Sequence, residues 1–512
     1  MTRAPSASQP ALSVAQPAEI PTGPSEQATL LAQVGTIVLN SGTYFVADAA
    51  ARGLNLLLVL AYTQVLKPAD YAILAVATSV TLLLVPVLGL SISAALSRLY
   101  FEATTEAERR KLYATALAFL LVVPTLAFLA IEVVGRLGWL DVFGAVPYDP
   151  YLRLAVLAAY VSLFLDLPVA IYIARRQAHR VAGLTLVNAG LLGGFSLLLV
   201  VGFDQGVRGV LLAAVLAGGV MAVVALVLTA RAIRVVTRPS KALLASMLLF
   251  SVPLVPHAAA QWVLQVSDRL VLSHYVSSVE LGLYYVGYSV GAIAAFVVFA
   301  ANKAMSPIIT VELKHPGHAS RVPRLGTYWF AGVVVGCLAV ALYGPDAVKV
   351  FAPNEFLAAA EIVPIIALGG AAYGVYTIIS SSVWFSMRTG WVPVLTGLAA
   401  TLNVGLNLLL IPRFGIKAAA WNTVVGFAAL AALQGLLAAR RHPIAWEYRR
   451  WMVLTGVGLG AYFAVQVTVP GLSVVRSLLS ALSIVVIFPV ALTAAGFWSP
   501  EERRWLRRRL LG

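Results

Sequence analysis

Fourteen stretches of mostly apolar residues run through this chain, and each is about as long as the roughly 20 residues a helix needs to cross a bilayer. They lie near 34–65, 71–97, 112–136, 151–173, 181–202, 208–230, 243–272, 280–306, 326–344, 357–385, 390–412, 416–438, 451–469 and 473–496. The short polar breaks KPAD and SHYVSSVE separate the first from the second and the seventh from the eighth. This pattern predicts an all-α integral membrane protein with about fourteen transmembrane helices. Composition agrees: 60% of the 512 residues are hydrophobic and only 11% are charged, too few charges to coat a water-soluble globule. Cytosolic enzymes, disulfide-built secreted domains and disordered proteins are excluded, and the single cysteine, Cys337, allows no disulfide framework.

The net charge of +15 is a matter of topology rather than of nucleic-acid binding. With both termini on one side, that side carries 26 of the 36 Lys and Arg residues, among them Arg98, Arg109, Arg175, Lys241, Arg324 and Arg450. Nine fall on the other side and one, Arg52, inside the first span. Positively charged loops stay inside, so both termini are expected in the cytoplasm. Residues 1–28, rich in Pro, Ser, Ala and Gln, read as a disordered cytoplasmic tail rather than a signal peptide. At the other end, SPEERRWLRRRLLG begins with a capping pattern at Ser499, Pro500 and Glu502. Residues 499–512 therefore read as a short basic amphipathic helix on the membrane surface. No loop could hold a soluble domain; 137–150 and 307–325 are the largest.

Two halves resemble each other. LKPADYAILAVATSV opens the second span and VSSVELGLYYVGYSV opens the eighth, with Asp70 and Glu280 in matching places. GFDQGVRGVLLAAV and RFGIKAAAWNTVV match likewise, through Gly206 and Gly415. The expected division is a six-helix bundle over 29–240, a second over 241–445 and an additional helix pair over 446–498. Such repeats place the substrate site between them.

Three segments carry a family resemblance: the second-helix segment from Leu66 to Tyr100, then FSVPLVPHAAAQWVLQVSDRLVLSHYVSSVELGLYYVGYSVG, then TLNVGLNLLLIPRFGIKAAAWNT. In order and spacing the chain resembles the polysaccharide-transport branch, the Wzx-type oligosaccharide flippases, of the multidrug/oligosaccharidyl-lipid/polysaccharide (MOP) exporter superfamily. The resemblance covers about residues 30–440. It implies two pseudo-symmetric bundles around a central cavity in the bacterial cytoplasmic membrane. It also implies alternating-access translocation of a lipid-linked oligosaccharide repeat unit, on undecaprenyl pyrophosphate, for capsule, exopolysaccharide or O-antigen. Membrane lipids, a polysaccharide polymerase and other assembly proteins would be partners.

Charges within a span cost at least about 2.5–3.5 kcal/mol at its centre and therefore mark partners or a wet cavity. The first span aligns Asn40, Tyr44, Asp48, Arg52 and Asn55 on one helix face, with Asp48 and Arg52 four apart and expected to pair. The seventh aligns His257, Gln261, Gln265 and Asp268. Matched stripes on the two repeats suit a cavity, and Arg52 suits phosphate recognition because its fork of donors stays charged. Lys303, or else a lysine snorkelling to the interface, is a second cation. Asn403 and Asn407 are candidate cavity walls, or glue between helices. Asp166 and Glu361 are candidates for ion coupling, with a capping or interfacial role as the alternative. Pro253 and Pro256 are candidate hinges of the seventh span.

No phosphate-binding GxxxxGK[ST], HExxH or Cys/His set appears, so neither ATP hydrolysis, nor a metal, nor a cofactor, nor a catalytic residue is expected. The rival readings are a lipid II flippase and a cation-coupled multidrug exporter of the same superfamily; a membrane-embedded polymerase or glycosyltransferase is disfavoured by the short loops. Four carboxylates in spans (Asp48, Asp166, Asp268 and Glu361) against Arg52 and Lys303 keep the multidrug reading in play.

Overall fold

A computed structural model describes residues 42–43, 46–137, 146–233, 237–313, 318–385, 391–441, 443–468, 474–498 and 502. Every regular element among them is helical. The first half holds α1 (46–62), α2 (Pro68–Gly89), α3 (Ile92–Glu102), α4 (Glu106–Arg136), α5 (Arg153–Ala174), α6 (Ala178–Ser196) and α7 (Gly206–Ile233). The second holds α8 (Lys241–Ser251), α9 (Val255–Tyr275), α10 (Ser278–Gly291), α11 (Ile293–Glu312), α12 (His318–Phe351), α13 (Val363–Phe385) and α14 (Val392–Arg441). The chain closes with α15 (Tyr448–Thr468), α16 (Val474–Leu482) and α17 (Phe488–Ala494).

Twelve segments among the described residues are long and apolar enough to cross a membrane, fewer than the fourteen expected. Two features contribute. The stretch 34–65 is described only in part, and two expected spans run together in α14. A straight helix of that length would measure about 75 Å, more than twice the hydrocarbon core. It does not run straight: Gly415 breaks it with φ 58° and ψ −142°.

The repeat is visible in local geometry. Asp70 and Glu280 each sit at the third position of their helix and accept a hydrogen bond from the backbone N–H three residues back, at Lys67 (2.9 Å) and Ser277 (3.0 Å). Both therefore stabilise a helix start. Gly206 and Gly415 both adopt a left-handed φ, 55° and 58°, where a side chain is strained.

The halves meet where α2 and α10 begin. A Cβ on Gly282 would collide with the carbonyl of Pro68, so only glycine lets the two backbones come this close. Tyr71, fully buried, packs edge-on to Phe356 at 5.4 Å and donates to the carbonyl of Val59. Further along, Trp262 Nε1 donates to the Ser79 carbonyl at 2.9 Å. The opposite, more basic end is joined differently. The seventh span breaks at Val252–Leu254, where Pro253 interrupts the hydrogen-bond ladder. Before the break, α8 packs on α3 and α4 of the first half through buried Met247. After it, α9 packs on α14 of the second half and on α2. The first span crosses the other way: Leu54 and Leu58 lie against α6 at Gly193, whereas the start of α1 reaches α11.

The C-terminal helices dock on α12. Trp451 Nε1 donates to Thr327 Oγ1 at 3.1 Å, and the buried Arg476 pairs with Asp346 at 3.3 Å. The capping pattern at Ser499 and Pro500 and the basic tail lie outside the described residues, apart from Glu502. Glu502 pairs with Arg450 at 3.0 Å and accepts from Tyr328.

Candidate functional site

At the seam between α1 and α11, Asp48 and Lys303 form an ion pair with the carboxylate and ammonium 2.5 Å apart. This corrects the expected Asp48–Arg52 pair. A lysine from the other half takes the carboxylate, and Arg52 turns to aromatic faces instead. Its guanidinium lies 5.4 Å from the centre of the Phe296 ring and 5.8 Å from that of Phe299. Lys303 also lies over Phe299, at 4.8 Å, so it reaches across the halves rather than snorkelling to the interface. Ring faces attract cations without consuming their hydrogen-bond donors. Arg52 is exposed, and no carboxylate bridges to it among the described residues. Asn40 and Tyr44 lie outside the described residues; Asn55 is exposed.

The stripe on the seventh span divides. His257 and Gln261 are half-buried, and the Nδ1 of one and the Oε1 of the other have no partner among the described residues. Gln261 Nε2 donates to Tyr376 at 3.2 Å, and Gln265 is exposed. Asp268 does not join them as a cavity residue. It is 2% exposed, receives the hydroxyls of Tyr284 and Thr423 and the backbone N–H of Arg269, and belongs to the packing of α9 against α10 and α14. Asn403 and Asn407 sit as glue between helices, the second of the two roles open to them, rather than as cavity walls. Both are buried: Asn403 Nδ2 donates to the Asn422 carbonyl (2.9 Å), Asn407 Nδ2 to Asn403 Oδ1 (3.1 Å), and Asn422 Nδ2 to Asn407 Oδ1 (2.9 Å). They glue the two arms of α14 together. Burial demands this closure, since an unpaired polar group in hydrocarbon costs several kcal/mol by about the same argument for backbone and side chain. Asn422 and Thr423 were legible only as two polar residues within the small-residue run KAAAWNTVV. The Arg269 guanidinium sits over Tyr288 at 4.6 Å and Tyr285 at 5.2 Å.

Of the two coupling candidates, Asp166 faces a cavity of about 230 Å³ beside the break between α2 and α3. That break is made by Leu90 and Ser91, both left-handed with φ 45° and 52°. Glu361 is instead in an exposed pair with Lys417, 2.7 Å apart, at the end of the membrane away from the basic loops. That exposed pair matches the interfacial alternative. Pro253 lies within the break in the seventh span and Pro256 in the first turn after it. Arg98 lies over Phe250 of α8 at 4.6 Å, the counterpart on the second span of Lys303 on the eighth. Among the described residues no group of three or more His, Cys, Asp or Glu side chains could hold a metal ion.

A family model described as polysaccharide biosynthesis protein matches residues 37–311, more than half of the chain. The chain belongs to this family. Solved structures share its fold. One similar structure is the lipid II flippase MurJ in an inward closed conformation, with a TM-score of 0.68 and 13% identity over 87% of this chain and 97% of that one. Another is an inward-facing multidrug resistance MATE family transporter of the MOP superfamily, with a TM-score of 0.54 and 13% identity over 82% and 95%. A third is the Vibrio cholerae MATE transporter VcmN, at 0.51 and 16% over 81% and 98%. No curated protein matches in sequence. At these identities the likeness is one of fold. This chain is thus a multi-pass membrane protein that shares its helical fold with MOP transporters.

Proposed function

We propose that this protein flips a lipid-linked oligosaccharide, carried on a polyprenyl pyrophosphate, from the cytoplasmic to the outer leaflet of a bacterial cytoplasmic membrane. The observation that carries this reading is the charge balance at the seam. Of the four carboxylates that favoured a multidrug exporter, Asp48, Asp268 and Glu361 are each engaged by protein partners. Arg52 is the cation left with its donors available, held at the seam by two phenylalanine rings. A seam whose carboxylate, Asp48, is paired and whose arginine is in reserve suits an anion. A guanidinium fork binds phosphate oxygens in pairs.

The mechanism follows from how the halves are joined. With both termini in the cytoplasm, the basic end is the inner side. There the first span reaches the eighth through Asp48 and Lys303, and the seventh reaches the second through Phe250 and Arg98. Breaking these two contacts while α2 and α10 stay together opens the inner side. A pyrophosphate arriving between the halves would draw on Arg52, and on Lys303 once Asp48 lets go. The lipid tail stays in the bilayer, and the halves rock about the α2–α10 contact, the alternating movement of repeat-built transporters. Asp166, with its own cavity, is the candidate that couples the cycle to an ion gradient.

Deletion of the gene should leave lipid-linked repeat units on the inner leaflet. In proteoliposomes the purified protein should move the labelled headgroup across, and Arg52→Ala should not. Wild-type transport of a cationic dye with no movement of the lipid-linked glycan would sink the proposal. The second reading, a lipid II flippase, is favoured by the similarity in fold to MurJ, and lipid II in the same proteoliposomes separates the two.

A further inference from the structure

Away from the seam, where α4, α5 and α7 come together at the less basic end, a cavity of about 520 Å³ opens between them. All of its lining residues lie between Phe128 and Leu212, within the first half. Three arginines stand around it: Arg136 at the end of α4, Arg153 at the start of α5 and Arg208 in the first turn of α7. Glu132 receives Arg153 at 3.1 Å, Arg136 at 3.7 Å and the hydroxyl of Tyr148 at 3.1 Å. Asp149 is a looser neighbour of Arg153, at 3.9 Å. Arg208 is exposed and has no carboxylate in bridging reach among the described residues. The lining therefore carries three positive charges against two negative ones.

One to two helical turns deeper, the walls become apolar: Phe128, Leu129, Leu157 and Leu212. Leu129 and Val133 are more than half exposed on a helix that spans the membrane, so this side faces lipid. A cationic rim above an apolar slot, open to the hydrocarbon, has the form of an amphiphile with an anionic head. Basic pockets between membrane helices bind lipid headgroups by this combination. The charge balance selects among such heads. A net charge of +1 matches a phosphodiester, with one negative charge. A pyrophosphate would bring more charge against Glu132 and Asp149, which are already at the rim.

We propose that this slot holds one anionic glycerophospholipid of the adjacent leaflet. Its phosphodiester sits between Arg136 and Arg208, and an acyl chain lies along Phe128, Leu129 and Leu157. In the orientation proposed above this is the outer leaflet. The site does not depend on what the seam transports. Bound there, the lipid ties the outer ends of three helices of the first half together, on the side away from the moving contact.

The test is native mass spectrometry of the purified full-length protein in detergent, titrated with phosphatidylglycerol or with phosphatidylcholine of the same acyl chains. Wild type should retain one phosphatidylglycerol in preference to phosphatidylcholine. Losing two charge-assisted contacts in Arg136→Gln/Arg208→Gln should weaken retention at least about tenfold. Arg413→Gln, at another arginine of the same end outside the slot, should change nothing. Arg208→Gln alone should weaken binding in part, and because Arg208 holds no carboxylate its loss is not one of folding. Equal retention of the two lipids, or an unchanged double variant, overturns the site. Displacement of phosphatidylglycerol by a polyprenyl monophosphate at lower concentration overturns the choice of occupant, and equal displacement by inorganic phosphate overturns the role of the acyl slot.

Discussion

Arg52 and Asp268 show how differently two intramembrane charges can be used. Arg52 keeps its donors by resting on Phe296 and Phe299, whereas Asp268 gives up its acceptors to Tyr284, Thr423 and the backbone. Arg52→Ala should reduce flipping in proteoliposomes by at least about tenfold, the worth of one charge-assisted contact, and leave the melting temperature close to wild type. Arg52→Lys should recover only part of the rate, since an ammonium lacks the planar fork. Asp268→Ala should act in the opposite sense. It strands the buried hydroxyl of Tyr284, costing roughly 1–3 kcal/mol, while Thr423 keeps the Ala419 carbonyl, and it should lower the melting temperature in detergent before any transport defect is considered. The sequence marked both residues as costly and helix-facing. It did not distinguish a face that meets the seam from a face that meets another helix, because 3.6-residue spacing gives a direction and no neighbour. The same limit applies to Asn403 and Asn407. Their spacing placed them together, and only Asn422, on the far arm of α14, made them structural. Asp48 met its partner from 255 residues away, beyond any local pattern.

Among the elements, the repeat was the most legible feature, because it is written in backbone requirements rather than in side-chain contacts. Acids at the third helical position and glycines at left-handed turns recur in both halves. Gly206→Ala and Gly415→Ala should each cost about 1–3 kcal/mol, the strain of an alanine held at positive φ. At neither position would the new Cβ meet a crowded neighbour, so both losses, measured by thermal melting, should come from backbone strain, and Gly415, with ψ −142°, should show the larger one. Gly282→Ala should differ in kind. It forces α2 and α10 apart, so it should alter the transport cycle even where the fold survives. The break in the seventh span was also readable, from Pro253 and Pro256. Replacing both with Ala should restore ladder hydrogen bonds, straighten the helix and slow flipping; an unchanged rate would show that the bend is not used.

At the scale of the molecule, each half is held at the basic end by a helix of the other. Cysteines introduced at Asp48 and Lys303, in a Cys337→Ala background, should be joined by a reducible bifunctional thiol reagent, and flipping should then fall below that of the uncrosslinked double variant and return to that level on reduction. Crosslinked protein that still flips would remove the inner-side opening from the mechanism. Hydrophobic stretches predicted that these segments lie in the membrane. They were silent about which bundle each one joins, since an apolar surface packs equally well on either half or on lipid.

The two parts of the seventh span have a consequence for how the protein is made. A ribosome that has finished the first 240 residues has not yet produced everything the first bundle packs against, because α8 follows. That bundle waits, with the cluster that Met247 joins left incomplete, until the next helix enters the bilayer. Its insertion closes one domain and begins the other in a single event, so the halves cannot mature independently. A chain stopped at residue 240 should be cleared by membrane proteases faster than one stopped at 276.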